Sequence, residues 1–160
     1  MGHVVGTILG VGGATIAEVQ INKALRDRTI SEDERSLMHA NYFLIRIGMA
    51  IILLSVIGIF WYQLNAGSMW ILTSEKLWAK DVMFLAIFIN AILLTKHWIP
   101  LWLGASISFT SWWGAALLGL AGRLKYSFGT YMIAYVIAIF AIAGILHLIR
   151  QRVTKNTLTP

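Results

Sequence analysis

Phe43-Leu44-Ile45-Arg46-Ile47-Gly48-Met49-Ala50-Ile51-Ile52-Leu53-Leu54-Ser55-Val56-Ile57-Gly58-Ile59-Phe60 carries one charge, Arg46, in a run of otherwise apolar or small residues. A transmembrane helix needs about 20 mostly apolar residues, and Met38 to Phe60 supplies them. Similar runs stand at Val82–Leu94, Leu101–Ala121 and Tyr131–Ile149, and a glycine-rich one at Val4–Leu25. The expectation is an all-α, polytopic transmembrane helix bundle of five spans, or four if the first helix only lies at the interface. The length allows one domain, 1–160, and no second.

Composition points the same way. The chain is 58% hydrophobic and 12% charged, with mean hydropathy +0.74. Soluble domains carry about 25% charged residues, so lipid must cover what polar side chains do not. Helices satisfy every backbone group within the segment. Barrel strands would alternate polar and apolar residues, and these runs do not. The net charge of +6 sits at the ends of apolar runs, which indicates topology and anionic lipid as its targets, not nucleic acid. There is no cysteine, which removes disulfides, thiolate metal sites and cysteine nucleophiles. The N-terminus lacks Lys and Arg and has Gly6 where myristoylation wants Ser or Thr, so neither a cleaved signal nor that lipid is expected.

Punctuation residues set the element limits. Ser31 with Glu34 forms a capping box, predicting that the second helix starts near Glu32, enters the membrane near Asn41 and leaves near Tyr62. Gln63–Leu77 reads as an interfacial loop. Ser74 is a candidate cap for a third helix over Glu75–Trp98. Pro100 precedes a fourth over Leu101–Ala121, closed by Gly122. A fifth is expected over Ser127–Arg152, with Thr154–Pro160 fraying. Trp70, Trp78 and Trp98 suit interfacial belts. Gly6 and Gly10 have the small-xxx-small spacing that serves either a dimer or tight packing inside the bundle.

Basic residues choose the orientation. Lys23, Arg26, Arg28, Arg35, Lys96, Arg150, Arg152 and Lys155 fall on one side, against Lys76, Lys80, Arg123 and Lys125 on the other. The richer side should be cytoplasmic, placing the N-terminus outside and the C-terminus inside.

Polar residues at membrane depth are the candidate site. Glu18 and Arg46 lie at similar depths on antiparallel helices, because each residue adds 1.5 Å of rise. An ion pair between them is expected, since a lone charge there would cost several kcal/mol; it would serve as a staple, or as part of a ligand or proton site. Asn90 falls in the same inner half. Of the four histidines, His3 is at the outer end of the first helix, and His39, His97 and His147 are at inner ends. Three imidazoles at one level could meet at a metal or haem. Lys80 and Asp81 enter the third helix from outside, facing Arg123, Lys125, a ligand acid or solvent. Trp112 and Trp113 lie deep, indicating a flat ligand or an aromatic core. No phosphate loop, dinucleotide fingerprint, zinc-protease motif, retinal lysine or pore filter is present.

His3 at the head of a helix with Gly10-Val11-Gly12-Gly13, a basic first loop, and Lys80 at the outer start of the third span resemble the copper-resistance D-type and HemJ-type (protoporphyrinogen oxidase) membrane proteins of bacteria, including uncharacterised members. Gly12-Gly13-Ala14-Thr15-Ile16 and Ser111-Trp112-Trp113-Gly114-Ala115 add to the likeness, which covers about half the chain. The resemblance implies b-type haem and redox work in the inner membrane, with His3 and Lys80 on one side of it. Two other readings stand beside it. One is an accessory subunit or homo-oligomer packing against other spans. The other is a small-solute transporter using Glu18 and Arg46.

Overall fold

Caps set the helix starts. Ser31 accepts from the Glu34 backbone N–H while the Glu34 carboxylate accepts from the Ser31 N–H, so the second helix begins with both orphan donors satisfied. Ser74 does the same for Leu77 N–H, and Pro100 occupies the N-cap of the next helix. The computed structural model describes residues 1–27, 29–68, 70–122 and 124–156, with only the backbone described for 27 and 154–156. Along them run α1 (Gly2–Asp27), α2 (Glu32–Asn65), a single turn α3 (Trp70–Thr73), α4 (Glu75–Thr95), α5 (Leu101–Leu120) and α6 (Phe128–Asn156).

Five of these helices are long and apolar enough to cross a membrane. Their most apolar windows bury only 11% (α6) to 33% (α5) of their residues inside the protein. The remainder must face lipid, because exposing that much aliphatic surface to water costs about 25 cal/mol per Å². The protein is therefore an all-α, multi-pass membrane bundle.

α1, α2, α4 and α5 surround a core of Ala14, Ile52, Ile87 and Trp112. Glycines set the approach of the backbones. A Cβ on Gly10 would lie 2.1 Å from the Trp112 ring, and one on Gly6 would lie 2.9 Å from the Gly48 carbonyl oxygen. The Gly6/Gly10 face is thus used inside the bundle, which decides between the two roles for that spacing. α6 leans on the outside of α1 and α5, through Tyr135, whose hydroxyl is 2.5 Å from Ser111 Oγ, and through Arg150.

Three stretches differ from expectation by three residues or more. The segment before Ser74 contains α3, anchored by Ile71, which is 1% exposed. α4 stops at Thr95, three residues early. There Trp98 N–H bonds Leu93 O and His97 N–H bonds Leu94 O, a Schellman turn with His97 left-handed at φ 55°. Pro100 explains the early stop, since the residue before a proline is pushed out of the helical region. The tail is helical to Asn156, while 157–160, Arg28 and Arg123 lie outside the described residues.

Candidate functional site

The five long helices alternate in direction, so one end of the bundle gathers the C-terminal ends of α1, α4 and α6 with the N-terminal ends of α2 and α5. A cavity of about 710 Å³ opens there between α1, α2, α4 and α5. Its depth is apolar, with Ile45, Met49, Ile87 and Phe109, while Glu18, Arg35, Arg46 and Asn90 bring polar groups to its wall. This volume falls in the range of about 300–1,000 Å³ that small-ligand sites occupy.

The expected Glu18–Arg46 ion pair does not form. Glu18 instead accepts from Arg150 on α6 at 3.0 Å, with side-chain exposures of 9% and 14%. α1 and α6 run in the same direction and are neighbours, so the last helix supplies the counter-ion. Arg46 stacks on Tyr42, one turn earlier, with its guanidinium carbon 4.4 Å from the ring centroid. Its Nη2 also donates to the Tyr42 hydroxyl at 3.3 Å. That hydroxyl contacts Thr95 Oγ1 at 3.0 Å, and Thr95 donates to Ala91 O at 2.8 Å. One proton per hydroxyl fixes the direction: Arg46 donates to Tyr42, Tyr42 to Thr95, and Thr95 to the α4 backbone. Arg46 therefore keeps guanidinium N–H groups at the cavity wall with no carboxylate paired to it among the described residues.

Asn90 is 3% exposed. Its amide nitrogen donates to Gly104 O at 2.8 Å, and its Oδ1 has no partner among the described residues. A buried acceptor left unmade costs about 1–3 kcal/mol. Asn41 ties α2 to α1 by donating to Gly13 O at 3.0 Å.

His39 and His97 both line this cavity; His147 does not join them. His147 turns along α6 to Gln151, 2.8 Å away. No group of three or more metal-ligating His, Asp or Glu side chains occurs among the described residues. The convergence of three inner histidines on one metal is thereby corrected to a pair at one cavity.

At the opposite end, His3, Lys80, Asp81 and Trp112 line a second pocket of about 60 Å³. His3 Nδ1 lies 3.0 Å from Ser55 Oγ, and Ser55 donates to Ile52 O at 2.8 Å. Ser55 is thus the acceptor, Nδ1 carries the proton, and Nε2 is left with its lone pair. That is the tautomer a metal-binding imidazole needs. The pocket His3 shares with Lys80, however, is far too small for a porphyrin. The residues do not fit a haem held between His3 and Lys80 inside the bundle; the larger cavity, with two imidazoles and two guanidinium groups, fits one in volume and donor set.

Trp112, 1% exposed, packs in the core with the aliphatic Ala14, Ile52 and Ile87, whereas Trp113 is 38% exposed and donates to Thr15 at 3.2 Å. Arg150 and Tyr42 are the site residues that sequence reasoning missed. Tyr42 was findable from its four-residue spacing to Arg46; Arg150 required knowing that α6 packs on α1. Comparison with protein-family models, curated proteins and solved structures finds no match for the chain.

Proposed function

We propose that this chain is a multi-pass protein of a bacterial inner membrane that binds an amphipathic ligand with an acidic end in the cavity between α1, α2, α4 and α5. The carrying observation is the pairing, in one cavity, of an apolar floor with the guanidinium of Arg46 and the unpartnered Oδ1 of buried Asn90. The floor takes the apolar body. Arg46, steadied on Tyr42, takes a carboxylate or phosphate, because charge-assisted bonds are the strong ones. Asn90 accepts from a hydroxyl or protonated acid on the ligand. With the N-terminus outside and the C-terminus cytoplasmic, the cavity opens to the cytoplasm.

Haem b is the member of this ligand class that the sequence resemblance supplies, and the pair His39 and His97 favours it. A bound haem would supply one-electron redox chemistry. His39 and His97 would hold its iron, Arg35 and Arg46 its propionates, and Ile87 and Phe109 would keep water from its face.

The test is detergent purification from haem-replete cells, followed by absorbance and native mass spectrometry. A bound acidic amphiphile, depleted in Arg46→Gln and Asn90→Ala, is expected. A Soret band lost in His39→Ala or His97→Ala identifies that ligand as haem. An unliganded mass with no Soret band would overturn the proposal.

A further inference from the structure

The two cavities share one residue. Ile87 lines both the 710 Å³ cavity and the 60 Å³ pocket, and is itself 3% exposed. On α4, Lys80 and Phe84 face the small pocket and Asn90 and Leu94 the large cavity, with Ile87 between them. These positions recur at helical spacing on one face. At 1.5 Å per residue, Ile87 lies about 10 Å from Lys80 and about 4.5 Å from Asn90 along the helix. The other three helices repeat the arrangement. α1 turns Thr7 to the small pocket and Glu18 to the large cavity, and α5 divides in the same way between Ala115 and Ala105. One stripe of each helix therefore runs along a common axis, and the axis is closed by one apolar layer of Ile87 with Ile52 and Trp112.

We infer that this axis is a closed permeation path for small inorganic anions, with Ile87 as its hydrophobic gate. Constrictions of this kind close a path by excluding water. The charges choose the sign of the ion. Lys80 is offset by Asp81 at the small pocket, and Glu18 is engaged by Arg150, whereas Arg35 and Arg46 line the large cavity. Trp112, a donor-only side chain beside the small pocket, has a buried indole N–H with no acceptor among the described residues. Asn90 Oδ1 is an unpartnered acceptor on the same path, but the formal charge surplus is positive, so an anion meets a lower barrier than a cation. The small pocket limits the ion to about halide size. An acidic ligand in the larger cavity would neutralise Arg46 and fill the path, so the path belongs to the chain with that cavity free of ligand.

Chloride flux through proteoliposomes tests it, with the full chain and the variants Ile87→Ala and Ile87→Ser. Wild type should match protein-free vesicles. Ile87→Ser should raise chloride efflux about tenfold, equivalent to about 1.4 kcal/mol of barrier, and potassium efflux much less. Wild-type rates in both folded variants, or an equal rise for potassium or protons, would overturn the inference. The cysteine-free chain allows a second measurement that needs no open gate. Thr7→Cys should react with an impermeant thiol reagent from one membrane side only, Ala105→Cys from the other only, and Ile87→Cys from neither. Reaction of Thr7→Cys and Ala105→Cys from the same side, or of Ile87→Cys from either, would equally sink it.

Discussion

Glu18 shows what a depth argument can and cannot decide. Its burial and its need of a cation follow from one residue in a helix; the identity of the cation follows only from which helices touch. Sequence neighbours pointed to Arg46, and the fold supplies Arg150 at 3.0 Å. Removing Arg150 takes its cation from the buried Glu18, so Arg150→Leu should cost about 3 kcal/mol, and Glu18→Leu should cost less, because Arg150 keeps a further contact. The double variant should cost clearly less than the sum, read as a double-mutant cycle of unfolding in detergent. Arg46→Gln, at an exposed stacked site, should change stability by about 0.5 kcal/mol or less while reducing ligand retention. His97 makes the complementary case. A non-glycine residue at φ 55° costs about 1 kcal/mol, so His97→Gly should stabilise the protein by about that amount. Thermal unfolding in detergent reads that gain, while any loss of bound ligand in the same variant follows from the missing imidazole.

At the scale of elements, helix starts were legible and one helix end was not. Ser31, Ser74 and Pro100 act locally, through hydrogen bonds or φ within one turn, so their roles can be read without the fold. α4 ends where a three-residue Schellman turn meets Pro100, a compromise between neighbouring helices. The turn α3 is held by the burial of Ile71 and by Trp78 Nε1 donating to Leu72 O at 3.0 Å, contacts with no periodic signature. The glycines of α1 separate by the same logic. A Cβ at Gly10 would enter the Trp112 ring, while one at Gly12 would meet nothing within 4 Å. Gly10→Val should therefore destabilise the bundle by about 3 kcal/mol through overpacking. Gly12→Ala should add about 0.8 kcal/mol of helix propensity. Thermal unfolding of both variants in one detergent separates packing from propensity.

At the scale of the whole molecule, hydropathy alone reveals the five membrane-crossing helices, because each span must satisfy its own backbone. Their lateral arrangement is hidden, since lipid and side chains are equally apolar and only small-residue contacts choose neighbours. That is why both cavities and the placement of α6 beside α1 could not be read beforehand, although Asn90, His39 and His97 could be nominated. Orientation follows from a different force. Each basic residue near the cytoplasmic leaflet gains about 1 kcal/mol, and among the described side chains the end of the bundle with the cavity carries Lys23, Arg26, Arg35, Lys96, Arg150 and Arg152, against Lys76, Lys80 and Lys125 at the other, which favours a cytoplasmic cavity end. Single cysteines at two exposed positions, Ala66→Cys and Ser36→Cys, report the outcome in whole cells. Ala66→Cys should react with an impermeant thiol reagent directly and Ser36→Cys only after permeabilisation. The reverse pattern would place the cavity mouth on the external side, so its ligand would have to arrive from outside the cell.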